Sequence, residues 1–198
     1  MGEENRMAEI VKGAVMDAWE IMVYGVAVDA DAKGDKKRKM LLSYKENEWK
    51  IEGVTKLKAL LASTQMHENP EDAVMHFIKY AEYYLPRSMF ENTLRVILEK
   101  IPGLRKKYEG APQDLLTHIK YMLGYLAWDV EAYCNVLTYA GNDPNKVKEE
   151  LRKMFAAEFS VLGDEKNKLE EYVSKLFSLW NSADKTGGRK GDEESEEE

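Results

Sequence analysis

The stretch Gln113–Ala140, QDLLTHIKYMLGYLAWDVEAYCNVLTYA, decides how this chain folds. Leu115, Leu116, Ile119, Met122, Leu123, Leu126, Ala127, Val130, Cys134 and Leu137 recur at three- and four-residue steps, the period of an α-helix. Tyr121, Tyr125, Trp128 and Tyr133 flank that stripe and carry the apolar surface most of the way round. A helix that is apolar on nearly every side has to be covered by neighbours. Gly110-Ala111-Pro112 opens it, with Pro112 suited to the first turn, and Gly141-Asn142-Asp143-Pro144 stops it. The stretch predicts the central helix of an all-α domain, with Trp128 among its buried side chains.

The flanking sequence supplies the cover. Residues Asn5 to Val28 predict a first helix, with Met7, Ile10, Val11, Ala14, Val15, Ala18, Trp19, Met22 and Val26 inward. Lys36 to Lys50 is a less regular helical segment, and Gly53 is expected to break it before a short helix from Val54 to Met66. Asn69-Pro70-Glu71-Asp72 reads as an N-cap, a proline in the first turn and two acids beside the helix dipole. Ser88-Met89-Phe90-Glu91 reads as a capping box opening a helix that ends before Pro102-Gly103. Beyond the central helix, Asn145 to Leu162 and a stripe from Leu169 to Trp180 complete the set. No strand alternation and no repeat is visible, so residues 1–181 predict a compact bundle of about seven or eight helices. From Ser182 to Glu198 no apolar period remains, and an acidic, disordered tail is expected.

Composition narrows the function classes. The chain has 198 residues and a net charge of −7, to which three basic and six acidic residues from Lys185 onward contribute −3. A mildly acidic body does not advertise nucleic-acid binding, but local patches rather than net charge make such contacts. No apolar run is long enough to span a bilayer, and no secretory leader is expected. The single cysteine, Cys134, excludes an internal disulfide and suits a reducing, cytoplasmic compartment. Two glutamines among abundant Lys and Glu point to a thermophile source.

The residue types that carry chemistry are sparse. Of three histidines, His76 and His118 lie four residues after Asp72 and Asp114, a spacing that predicts surface hydrogen bonds rather than metal ligation. No HExxH, no Glu-x-x-His pair set, no glycine-rich nucleotide loop opening a helix and no GxSxG element occurs. No catalysis, cofactor or metal is expected. What remains is cationic: Lys36-Lys37-Arg38-Lys39, and Arg105-Lys106-Lys107 with Tyr108 beside it. Each run reads either as a solvated surface or as a contact for a phosphate backbone, with Tyr108 available to stack on a base.

Val54-Thr55-Lys56-Leu57-Lys58-Ala59-Leu60-Leu61 opens a helix with Thr, a basic residue and branched apolars, and Lys120-Tyr121-Met122 with Ala127-Trp128 forms a later basic-aromatic helix. In these features, over roughly Gly53 to Tyr133, the chain resembles the small all-helical subunit of CRISPR ribonucleoprotein effector complexes, type III above all. The resemblance implies a non-catalytic, RNA-guided role in antiviral defence, with copies stacked side by side along a guide–target duplex. It carries over Lys56, Lys58 and Lys120 as nucleic-acid contacts. The partners it implies are other protein subunits, copies of this chain, and RNA or another single strand. A helical scaffold or adaptor that binds protein alone is the other reading.

Overall fold

The structure is a computed structural model that describes residues 2–31, 48–85, 90–140, 143–156 and 166–187. The described residues are helical, with no strand among them. Helix α1 (Glu3–Ile21) runs through a π-helical turn (Met22–Val26) into α2 (Ala27–Asp31) as one continuous rod. Then follow α3 (Glu48–Ser63), α4 (Pro70–Tyr84), α5 (Glu91–Lys107), α6 (Pro112–Ala140), α7 (Pro144–Ala156) and α8 (Lys166–Gly187). With the rod counted once, seven helices are described. None is long and apolar enough to cross a membrane.

Helix α6 is central, as its periodicity requires. It packs along α1, α3, α4 and α7, and Leu116, Ile119, Met122, Leu123, Leu126, Val130 and Cys134 are all buried in one continuous core. Trp19 of α1 fills the space between α1, α7 and α8, meeting Phe155 edge-on at 5.0 Å and Tyr172 at 6.0 Å. Such aromatic pairs add about 1 kcal/mol each beyond their burial. Helix α4 starts where the sequence predicts: the Asn69 side chain accepts from the backbone N–H groups of Glu71 and Asp72, with Pro70 in the first turn.

Three local expectations give way to tertiary packing, and two others differ at the chain's ends. Gly53 lies inside α3, because a Cβ there would sit 2.0 Å from the Phe90 ring; the missing side chain admits that ring instead of ending the helix. Helix α5 continues through Pro102 to Lys107, since Ile101 and Leu104 on either side of the proline are both buried and hold the last turn against the core. The N-cap of α5 is Phe90, with no side-chain cap of its own; Glu91 pairs with Arg95 one turn on, and Ser88, where a capping box is expected to open, lies outside the described residues. The cap comes from a distant residue: buried Asp29 accepts from the backbone and side chain of both Asn92 and Thr93, at 2.7–3.0 Å. Gly25 in the π turn permits this approach, for a Cβ there would meet Thr93 Cα at 2.7 Å. Met7, expected inward, is exposed near the start of α1. The last helix reaches Gly187, beyond the expected boundary at Ser182, and residues 188–198 lie outside the described set.

Candidate functional site

Five titratable residues between α1, α5 and α6 form a brace. Lys100 on α5 donates to Asp17 at 2.8 Å and also to Glu20, both on α1. Asp17 in turn holds His118 Nε2 at 2.8 Å, and the other nitrogen of that fully buried ring lies 2.9 Å from the Tyr108 hydroxyl. The ionised carboxylate can only accept, so the Nε2 proton points at Asp17; in the neutral ring Nδ1 then accepts from Tyr108. Burial works to raise the Asp17 carboxyl, but hydrogen bonds from His118 and Lys100 outweigh it and hold its pKa below the ordinary value. Lys100 mirrors this: burial opposes its charge, while Asp17 and Glu20 raise its pKa. Burial pushes the Tyr108 phenol upward against the pull of Lys107. A tyrosine with a raised pKa and its hydroxyl turned inward is not an activated nucleophile. The chain Tyr108–His118–Asp17–Lys100–Glu20 therefore ties α1, α5 and α6 together.

The expected intrahelical histidine pairs do not form. His118 reaches Asp17 while Asp114 pairs with Arg6, and His76 meets His67 rather than Asp72, their nitrogens 2.7 Å apart. Burial of His118 on the core side of α6 takes it out of Asp114's reach and toward α1. Among the described residues no three His, Cys, Asp or Glu side chains converge on a metal-sized site.

The predicted cations disperse. Lys36, Lys37, Arg38 and Lys39 lie outside the described residues. Arg105, Lys106 and Lys107 form the last turn of α5, where positive charge complements the helix dipole. That run splits: Arg105 turns toward Met75 on α4, and Lys107 lies over the Tyr108 ring on the side facing Gly13 of α1. Lys58 is exposed on α3. The Lys56 ammonium stands 5.7 Å from the centre of the Tyr84 ring, which also contacts Tyr80 and Tyr83.

Lys120 has different company. It stands with Thr117, Tyr121, Gly124, Tyr125 and Trp128 around an open cleft of about 510 Å³ on the outer side of α6. Trp128 is 64% exposed and Tyr121 42% exposed, which corrects the expectation that Trp128 is buried. The reason is angular. Positions 117, 121, 124, 128, 131 and 135 share one helical phase, and Thr117, Glu131 and Asn135 mark it as the solvent side. That phase was the available signal for the cleft; ranking residues by apolarity alone hides it. A surface holding two large exposed aromatics and one cation can bind a flat, anionic or apolar partner without any catalytic group. No family model, no curated protein and no solved structure matches the chain.

Proposed function

We propose that this chain is a non-catalytic helical subunit of an RNA-guided nucleoprotein assembly, contacting nucleic acid through cations and exposed aromatics and its neighbours through helical faces. One observation carries the reading: the most deeply packed helix turns Tyr121 and Trp128 outward on a single face, with half-buried Lys120 and Tyr125 beside them around one cleft. Leaving a tryptophan in water forfeits roughly 25 cal/mol for each Å² of apolar surface, so such a face is maintained at a cost in stability. Stacking on nucleobases recovers that surface, and Lys120 supplies a partner for the accompanying phosphate. The same stretch holds the basic-aromatic segment on which the resemblance to CRISPR small subunits rests. The interior brace has no free nucleophile and fits a subunit without chemistry of its own.

The alternative is a protein-only scaffold, favoured by the exposed Tyr83 and Tyr139, because aromatics of this kind anchor protein interfaces. Filter binding of a labelled single-stranded RNA across a salt series separates the two. If Lys36, Lys37, Arg38 and Lys39 neutralise four phosphates, they contribute about −2.8 to the log–log salt slope, and replacing all four with glutamine removes that share. Absence of RNA binding by the unmodified chain at low salt overturns the nucleoprotein reading in favour of the scaffold.

A further inference from the structure

Two of the three histidines meet at the surface, on the turn that joins α3 to α4. His67 lies in that turn, and His76 lies in the second turn of α4. His67 Nε2 and His76 Nδ1 are 2.7 Å apart. The ring centroids are 5.0 Å apart with planes at 61°, so the two nitrogens face each other along nearly one line. Both rings stand on anchored backbone. Before His67, the hydroxyls of buried Ser63 and Thr64 donate to the Leu60 and Leu61 carbonyls at 2.6 Å. After it, Asn69 caps α4, and His76 is followed by Phe77, which is wholly buried. The chain reaches the meeting point twice from fixed positions, which leaves side-chain torsions as the only adjustment needed.

A hydrogen bond between two neutral imidazoles uses one proton and one lone pair. Unprotonated imidazole nitrogens are also the commonest ligands of first-row transition metals. Moving the shared proton to the far nitrogen of its own ring frees both lone pairs, with no net loss of a proton. A tetrahedral ion with bonds of about 2.0–2.1 Å holds two such nitrogens about 3.3 Å apart. The rings therefore have to part by about 0.6 Å, a small swing for side chains at the surface. Glu68, Glu71 and Asp72 are exposed on the same turn and give it a negative potential, which favours a cation. Among the described residues no third His, Cys, Asp or Glu converges on the pair, so water fills the other positions. Hard ions such as magnesium, which take oxygen ligands, do not suit a pair of imidazoles.

We infer that His67 Nε2 and His76 Nδ1 bind one divalent transition-metal ion of the zinc, nickel or copper class, with water completing its coordination, and that the ion clips the α3–α4 turn to α4. The site shares no residue with the cleft beside Lys120 and is independent of the nucleic-acid reading. Ligands nine residues apart in sequence converge only in the folded chain, so the ion stabilises the folded state over the unfolded one. Two protein ligands make an exchangeable site rather than a closed structural one, for which zinc takes four.

The test uses the full chain with zinc, nickel and copper salts in excess magnesium, which occupies surface carboxylates without competing for imidazole. Isothermal titration is expected to show one ion per chain, with copper bound tightest of the three. The melting midpoint is expected to rise with ion concentration. Removing a group that merely supports a metal ligand costs about 10–100-fold in affinity, so His67→Ala and His76→Ala should each weaken binding at least tenfold and abolish the rise. Without metal each variant should melt close to the parent, as surface substitutions do. The ring signals of His67 and His76 in proton NMR should shift on zinc addition, while those of buried His118 stay in place. No binding of any of the three ions at millimolar concentration, or undiminished binding when both histidines are replaced, overturns the site and leaves the pair as a surface hydrogen bond. A stoichiometry of one ion per two chains likewise overturns the single-chain site.

Discussion

Trp19 and Trp128 lie on the pair of helices, α1 and α6, that pack together more extensively than any other described pair. Their surroundings are opposite. Trp19 is wholly buried among Phe155, Tyr172 and the apolar stripe of α1, whereas most of Trp128 faces water beside Gly124 and Lys120. Both occur in helices rich in apolar residues, so residue type does not separate them. The angle around the helix does: Trp19 shares its phase with Val15, Met22 and Val26, all buried, and Trp128 shares its own with Thr117, Glu131 and Asn135. One tryptophan holds the fold together, and the other is left on the surface.

The largest expected effect tests the first half of that contrast. Trp19→Ala should destabilise the fold by about 3–5 kcal/mol, through lost burial and the cavity left between α1, α7 and α8. Urea unfolding measures it, and a loss below about 1 kcal/mol, the scale of an ordinary mutation, would mean that the three helices are held by something else.

Next comes the brace beside Trp19. Lys100→Met leaves the Asp17 and Glu20 carboxylates without their shared cation and should cost about 2 kcal/mol at neutral pH, between the cost of losing an exposed pair and that of breaking a buried one, because all three groups are only partly buried. The pH dependence has a definite sign. The Asp17 pKa is depressed in the folded chain, so its contribution is fully present above the unfolded value of 3.8 and is lost as pH falls through the lower folded value. The variant and the parent should therefore converge in stability on acidification below about pH 4. Lys100, whose folded pKa is raised above 10.5, contributes below that value and loses its contribution as pH rises through the folded one. A stability gap that stays constant down to pH 2 would assign the effect to packing rather than charge.

Asp29→Ala should cost about 2 kcal/mol, combining a lost helix cap with buried Thr93 donors left unsatisfied. Hydrogen exchange should rise first at the amides of Asn92 and Thr93, where the carboxylate is now the acceptor. Protection that is unchanged there would place the cap elsewhere. The smallest effect belongs to the other tryptophan: Trp128→Ala should shift stability by less than about 0.5 kcal/mol, as surface substitutions do. A loss comparable to that of Trp19→Ala would break the contrast between the two residues.

Much of the scaffold was legible in the chain itself. The period in Gln113–Ala140 located the central helix to within one residue, and Asn69-Pro70 located the start of α4, because both depend on neighbours in sequence. The candidate site was legible only in part. Lys120 and the aromatics beside it were visible as residues, but with the wrong side assigned to Trp128. The wheel position that would have corrected this depends on weighing Thr117, Glu131 and Asn135 as strongly as the apolar residues.

The sequence by itself determined that the chain is helical and where its longest helix lies. These follow from short-range periodicity and composition, which need no knowledge of what touches what. Tertiary structure decided the rest. Gly53 does not end a helix because the Phe90 ring occupies the space beside it; Pro102 does not end one because Ile101 and Leu104 are buried on both sides of it. Asp29 caps a helix more than sixty residues away, and His118 pairs with Asp17 across the core instead of with Asp114 one turn before it. Each of these outcomes turns on a contact between distant segments, and the free energy of burying a side chain or pairing a charge there exceeds the local preference it overrides.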